Sequence, residues 1–401
     1  MERLISRKVS CELSRLASTY KVITILGPRQ AGKSTLAKFF FNKYDYVNLE
    51  DSALRREAEE DPKGFLINHP APLIVDEIQR CPSLVSQIQA NVDEMDGYGK
   101  YIITGSYQKD VHKTIAQSLA TRTAIVELLP LSFEELCTAE ISLPRNEQIF
   151  TGFMPGIYST AGIAPSEFYL NYRTVHLDKD IREEKSFNDL RKFHLFLDVM
   201  AGRAGQLINN TAVSNDVGVS SVTIKDWTAL LENAYVIKLL PPWSRNYTSR
   251  AVKSPKLYFI ETGLLVSLAR ISSPKEIGIS SMTGAFFENM VVMEAFKARY
   301  NSISEPKLYF YRDNNGLEVD LIFEKGQKEL ELFEIKSAYS VSKDFSRNMD
   351  RFENLHPGYV IHKNVIYSGE TLHEPVNGVR YMNYLDIASY LSEKEKFVLN
   401  F

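Results

Sequence analysis

The chain has 401 residues, 44% hydrophobic and 24% charged, which is an ordinary globular composition with room for two or three domains. A formal net charge of −3 excludes a protein that grips polyanions with its whole surface, so any nucleic-acid contact has to come from a local patch. No apolar stretch is long enough to cross a membrane, and Cys11, Cys81 and Cys137 are isolated, so a reducing cytoplasm is the expected location.

Residues 1–8 lack the apolar core of a signal peptide and read as an amphipathic helix leading into the first strand. Residues 20–26 are short, apolar and β-branched, as a buried parallel strand should be. They run into Gly27-Pro28-Arg29-Gln30-Ala31-Gly32-Lys33-Ser34-Thr35, which spells the phosphate-binding P-loop G-x-x-x-x-G-K-[ST]. Gly27 and Gly32 let the backbone curl so that its N–H groups point at phosphate oxygens. Lys33 neutralises the β- and γ-phosphates, and Ser34 offers a hydroxyl to Mg2+. Leu36, Phe39 and Phe40 follow at helical spacing, so the phosphates would meet a helix N-terminus. Gly27, Gln30, Ala31, Gly32, Lys33, Ser34 and Thr35 are therefore the expected nucleotide-binding residues.

Residues 72–77 form a second buried strand that ends on Asp76 and Glu77. A strand that delivers acid at its C-terminal end suits a Walker B element. Asp76 would join the Mg2+ shell, directly or through water, and Glu77 would polarise the attacking water. Residues 101–104 are a third strand, after which Thr104 or Ser106 reaches the γ-phosphate or the water, or else merely ends the strand in a tight turn. Arg122 precedes the strand 123–128. It either contacts phosphate, in its own subunit or a neighbour's, or is a solvated arginine at a helix end.

The order of the P-loop, Val75-Asp76-Glu77-Ile78-Gln79, Thr104-Gly105-Ser106, Ser118-Leu119-Ala120-x-Arg122 and Leu129-Pro130-Leu131-Ser132-Phe133-Glu134-Glu135 resembles the bacterial and archaeal AAA-type ATPases that carry a C-terminal DUF4143 domain. The resemblance spans nearly the whole chain, with Thr121 standing where the family usually has glycine. It implies an α/β fold with a parallel five-stranded P-loop NTPase core related to AAA+ and STAND ATPases. It also implies ATP as the nucleotide, since P-loops grip phosphates and leave the base unread. Residues 152–156 resemble the family's Gly-Gly-Tyr-Pro segment, and in STAND-like proteins a proline there, here Pro155, approaches the nucleotide.

Residues 167–203 are helical and amphipathic. Arg182, in a stretch that resembles the family's Asp-Val-Arg segment, is either a finger acting in trans or an internal salt-bridge partner. Residues 206–231 then follow helix-turn-helix grammar, with Gly218 in the turn and Ser220 as N-cap. The strand-like segments 235–239 and 256–260 would form a wing. From 203 to 256 there are seven basic residues (Arg203, Lys225, Lys238, Arg245, Arg250, Lys253, Lys256) against Asp216, Asp226 and Glu232, a local charge of +4. That asymmetry suits a DNA backbone, although winged helices in ATPases also serve as packing elements or protein interfaces.

The last segment carries a separate constellation. Glu288 lies on a helix with Met290, Val291, Met293 and Phe296. Residues 307–312 and 318–323 are paired strands around a turn at 314–316, and residues 330–336 alternate into Glu-x-Lys. Glu334 and Lys336 point to one face. Glu288, Asp320, Glu334 and Lys336 match the PD-(D/E)xK nuclease pattern: Asp320 and Glu334 would bind Mg2+, Glu288 would support them, and Lys336 would orient or deprotonate water. The same fold could instead be catalytically unused.

The expected organisation is an AAA-type core at 1–160, a helical extension at 161–202, a winged helix at 203–275 and a nuclease-like α/β domain, of the restriction-endonuclease kind, at 276–401. The leading function is an Mg2+-dependent ATPase whose nucleotide state controls a DNA-directed activity. The rivals are a nucleotide-gated protein-interaction switch in a toxin–antitoxin or defence setting, with a protein partner and no cleavage, and an ATP-fuelled homo-oligomeric motor.

Overall fold

The computed structural model describes residues 4–106, 115, 118–160, 162–177, 190–245 and 254–392. Strands β1 (Val22–Leu26), β2 (Asp45–Asn48), β3 (Leu73–Asp76), β4 (Tyr101–Gly105) and β5 (Thr123–Glu127) form one sheet in the order β2-β3-β4-β1-β5. All four pairings are parallel. This is the expected five-stranded core. β1, β3 and β4 are buried along their whole lengths because helices cover both faces. Ile23 and Ile25 face the helices Ser10–Ala17 and Lys33–Phe40 through Leu13, Leu36 and Ala37. Val22, Val75 and Ile103 face the other side, against Leu84, Val85 and Ile88 of the helix Ser83–Glu94. β2 was not legible as a strand, because it is an edge strand on which Val47 alone is buried.

The first helix runs over Ser10–Ala17, and residues 4–8 of the expected N-terminal helix are not helical; residues 1–3 fall outside the described residues. Val9, Leu13 and Leu16 recur at helical spacing and are buried, whereas Ile5 and Arg7 are buried from a segment without helix.

Beyond β5 come the short helices Phe133–Thr138, Arg145–Thr151, Pro155–Ser159 and Pro165–Asn171, then Leu190–Ala201. Asp180 to Arg182 and the rest of residues 178–189 fall outside the described residues. The helix-turn-helix has helices at Asn210–Val217 and Ser221–Asn233. Gly218 takes φ +71° in the turn, and Ser220 caps the second helix by accepting the Thr223 amide at 3.0 Å. β6 (Ile237–Leu240) and β7 (Lys256–Phe259) pair antiparallel.

The C-terminal sheet has the order β12-β11-β10-β9-β8, with β8 (Leu308–Arg312), β9 (Glu318–Gly326) and β10 (Glu329–Lys336) antiparallel, and β10, β11 (Val360–Tyr367) and β12 (Val379–Asn383) parallel. The helix Thr283–Asn301 lies on one face. Its buried Phe286, Phe287, Met290 and Met293 belong to a single core that runs from Leu129 through Phe196, Trp227 and Phe259 to Leu391. The middle and C-terminal modules therefore share one interior. A further tie is made at the sheet edge, where the Trp243 amide donates to the Phe310 carbonyl at 2.6 Å.

Candidate nucleotide site and acidic cluster

The P-loop is held by sterics first. A Cβ at Gly27 would lie 2.1 Å from the Leu128 carbonyl oxygen, so the close approach of the chain leaving β1 to the chain leaving β5 requires glycine there. Gly32 is in the left-handed region at φ +90° and begins the helix Lys33–Phe40. Gln30 is also left-handed at φ +61°. A strap from the N-terminal segment then fixes the loop. The Arg7 guanidinium donates to the Ala31 carbonyl at 2.6 Å, to the Leu129 carbonyl at 2.6 Å and to Glu135 at 3.0 Å. Glu135 in turn completes a capping box with Ser132.

Lys33 is buried and its ammonium donates to the carbonyls of Gly27, at 3.0 Å, and Pro28, at 2.8 Å. It thus lies folded across its own loop. The Ser34 hydroxyl donates to Asp76 Oδ1 at 3.0 Å. Asp76 is only 2% exposed and collects two further hydroxyls: Thr104 on Oδ1, and Tyr46 on Oδ2 at 2.6 Å. Burial, and then the hydrogen bond to Asp76, push the Tyr46 phenol well above its ordinary pKa. Tyr46 was not foreseen, because it lies on the unrecognised edge strand β2. Its alternation with the buried Val47 was the available signal.

Glu77 follows β3 in the left-handed conformation, φ +59° and ψ +46°. It accepts a hydrogen bond from the Gln79 amide, which also donates to the Ser106 hydroxyl at 2.8 Å. Thr104 therefore touches Asp76 directly, whereas Ser106 communicates with Glu77 through Gln79. A cavity of about 200 Å3 opens beside the loop and is walled by Ile5, Gly32, Thr35, Leu36, Phe39 and Pro155. Pro155 approaches the loop closely, with its Cγ 3.8 Å from the position of a Cβ on Gly32. The cavity is large enough for the planar part of a nucleotide, and its walls are largely apolar.

Arg122 is not in this group. It precedes the first residue of β5, at the N-terminal edge of the sheet, while the P-loop leaves the C-terminal end of β1. Its guanidinium forks onto Asp93 at 2.5 and 2.9 Å. A phosphate contact within the same chain is therefore excluded by placement. The neighbouring Thr121 has φ +65°, a conformation that glycine adopts without strain.

The second constellation also assembles, with additions. Lys336 contacts Glu334 at 2.6 Å and Asp320 at 3.9 Å, and Asp320 accepts the Ile335 amide at 2.9 Å. Into this cluster projects Lys256 of β7, with its ammonium 2.6 Å from Glu318, 3.1 Å from Glu288 and 3.9 Å from Asp320. The Tyr258 hydroxyl donates to Glu288 at 2.6 Å. Burial, reinforced by Asp320, pushes Glu334 up to about 7, and raises Glu288 in the same way. Burial works to lower Lys256, but Glu288, Asp320 and Glu318 outweigh it and hold the ammonium charged. Lys256 and Tyr258 share a face of β7 by alternation. That alternation was the available signal for them, but nothing in the spacing tied them to residues thirty and more positions away.

The quartet does not fit a divalent metal as it stands. Among the described residues, the acidic and histidine atoms that gather in a group of three within 4.8 Å come from Glu329, Glu331 and His362, not from Glu288, Asp320 and Glu334. The Glu329 group is itself tied to Lys325 at 3.1 and 3.8 Å.

The expected basic patch is also altered. Lys256 is buried among acids, Arg203 pairs with Asp216, and Lys238 lies over the rings of Phe296 and Tyr300 at 5.4 and 5.5 Å. Arg245 donates to the Leu355 carbonyl at 3.1 Å. Lys225 remains exposed, and Arg250 and Lys253 fall outside the described residues.

Comparison with known proteins matches an AAA domain at residues 19–137, a domain of unknown function, DUF8612, at 145–275, and a domain of unknown function, DUF4143, at 283–384. An uncharacterised protein of Mycobacterium tuberculosis is 26% identical over 344 residues, covering 86% of this chain and 76% of that protein. An uncharacterised protein of Methanocaldococcus jannaschii is 25% identical over 341 residues, covering 77% of this chain and 74% of that protein. Among solved structures, a Walker-type ATPase of Pyrococcus abyssi aligns with a TM-score of 0.46 at 14% identity, over 67% of this chain and 96% of that one.

Proposed function

We propose, for a chain that carries an AAA domain followed by a C-terminal DUF4143 domain, that the N-terminal core binds ATP with Mg2+, hydrolyses it, and passes its nucleotide state to the modules behind it. The observation that carries this reading is the meeting of Ser34, Thr104 and Tyr46 on buried Asp76, beside Glu77. Ser34 and Asp76 offer hard oxygen donors 3.0 Å apart, which suits Mg2+. Bound there with the triphosphate, Mg2+ would neutralise charge on the β- and γ-phosphates. Lys33 exchanges the carbonyls of Gly27 and Pro28 for phosphate oxygens. Thr104 and Tyr46 fix the orientation of Asp76. Glu77, released from Gln79, takes the proton of the attacking water. The apolar cavity against Ile5, Leu36, Phe39 and Pro155 receives the base.

The test is nucleotide binding by fluorescent ATP analogue together with phosphate release. Lys33→Ala removes a charge-assisted contact of about 1.5–3 kcal/mol and should weaken ATP binding at least about tenfold. Glu77→Gln should keep binding and slow hydrolysis by about 100-fold or more. Unchanged turnover in both variants would sink the assignment.

What the nucleotide state controls has two readings. The helix-turn-helix supports a DNA-directed activity. The engagement of Arg203, Lys238, Arg245 and Lys256 inside the chain favours the second, a nucleotide-gated switch for a protein partner with no cleavage. Duplex binding measured by fluorescence anisotropy separates them: a phosphate-gripping module loses affinity steeply between about 50 and 200 mM salt. Duplex affinity that is weak and indifferent to salt supports the protein-directed switch.

A further inference from the structure

The acidic cluster of the C-terminal sheet holds Glu288 from the long helix, Glu318 and Asp320 from β9, and Glu334 from β10. A nuclease of this pattern would place a divalent cation among such carboxylates. Here the position is filled by a side chain of the preceding module. Lys256 is 2% exposed, and its ammonium reaches oxygens of Glu318, Glu288 and Asp320 at 2.6, 3.1 and 3.9 Å. Lys336 takes Glu334 and the other oxygen of Asp320, and Arg312 lies 3.6 Å from Glu318. Four carboxylates thus face three cationic side chains. A divalent cation would have to displace a buried ammonium that already pairs with three of the carboxylates. One buried oxygen, Glu334 Oε2, has no hydrogen-bond partner, and among the described residues no three of these carboxylates gather within 4.8 Å of one another.

We infer that Lys256 occupies the cation position of this cluster, making it a built-in ammonium–carboxylate joint that clasps β7 to the C-terminal sheet in place of a divalent-metal site. The joint is independent of the ATPase reading and of the nucleotide.

The experiment is Mn2+ titration of the full chain without nucleotide, followed by electron paramagnetic resonance of the free ion, with circular dichroism to verify folding. Wild type and Asp320→Asn should bind the same number of Mn2+ ions, because the cluster contributes none. Lys256→Met keeps the apolar stem and removes the charge. It should bind one more Mn2+ than wild type, and Lys256→Met combined with Asp320→Asn should lose that ion again. A wild-type Mn2+ site that disappears in Asp320→Asn overturns the inference, as does a folded Lys256→Met that gains no ion. If Lys256→Met fails to fold, the comparison of wild type with Asp320→Asn still decides, since an asparagine oxygen can go on accepting the Ile335 amide.

Discussion

At the scale of single residues, Asp76 shows how a buried carboxylate is kept useful. A charge that is 2% exposed has to be hydrogen-bonded, and three hydroxyls from three different elements do this. Tyr46→Phe removes one of them. It should lower stability by about 1–2 kcal/mol in urea denaturation and lower the rate of ATP hydrolysis without abolishing ATP binding. A variant with wild-type turnover would show that the Tyr46 hydroxyl plays no part. Thr121 is strained in the opposite sense. Its left-handed backbone costs about 1–2 kcal/mol, against about 0.5–1 kcal/mol of extra chain entropy for glycine, so Thr121→Gly should stabilise by about 0.5 kcal/mol, read as a shift in the urea midpoint. Glu334 sets a pH dependence. Its folded pKa of about 7 lies above the ordinary 4.5, so the native state holds a proton that the unfolded state has lost. Stability therefore falls as pH rises from about 4.5 to about 7 and levels off above that. Glu334→Gln should flatten this segment of the stability–pH curve; an unchanged slope would contradict the burial of the charge.

At the scale of elements, the P-loop depends on a segment that precedes its own strand. Arg7 joins the Ala31 carbonyl to Leu129 and Glu135, so the loop before the nucleotide helix and the loop after β5 are held by one guanidinium. Arg7→Met would leave Glu135 charged and buried. Removing one partner of such a pair costs about 3–5 kcal/mol, and the same variant should weaken ATP binding because the loop is no longer pre-set. Calorimetric unfolding and nucleotide titration read the two effects separately, and wild-type affinity in a folded Arg7→Met would dismiss the strap. The motif Leu129 to Glu135 was legible only as part of a family resemblance. Its capping box is a local Ser132–Glu135 pattern, but the anchoring of Arg7 by the same glutamate joins residues more than a hundred positions apart.

At the scale of the whole molecule, the same loop is gripped from the other side. Glu294 and Lys297 of the helix Thr283–Asn301 are essentially fully buried. Glu294 accepts the Phe133 amide at 2.8 Å, and Lys297 donates to the Leu131 carbonyl at 2.7 Å and lies 3.6 Å from the centre of the Phe153 ring. The nucleotide loop thus connects to the C-terminal helix through Arg7, Leu129, Leu131 and Phe133. Because one core runs from Leu129 to Leu391, the middle and C-terminal modules should unfold together. Lys297→Met should destabilise that joint unit by about 3–5 kcal/mol. A separate early transition for the helix-turn-helix, seen by its Trp227 fluorescence, would contradict a shared interior.

The sequence by itself determined the parallel core, the P-loop, the acids that end β3, the helix-turn-helix and the strand carrying Glu334 and Lys336. Each of these is a local pattern: a period of two or 3.6, a glycine where the backbone turns left-handed, an acid at a strand end. Tertiary structure decided the partners. It put Tyr46 on Asp76, turned Arg122 toward Asp93, folded Arg7 under the loop and drove Lys256 into the acids of the C-terminal sheet. These outcomes come from buried charges and hydroxyls finding mates across distant elements. A chain read one residue after another carries the need for such a mate, and only the packed structure says which residue meets it.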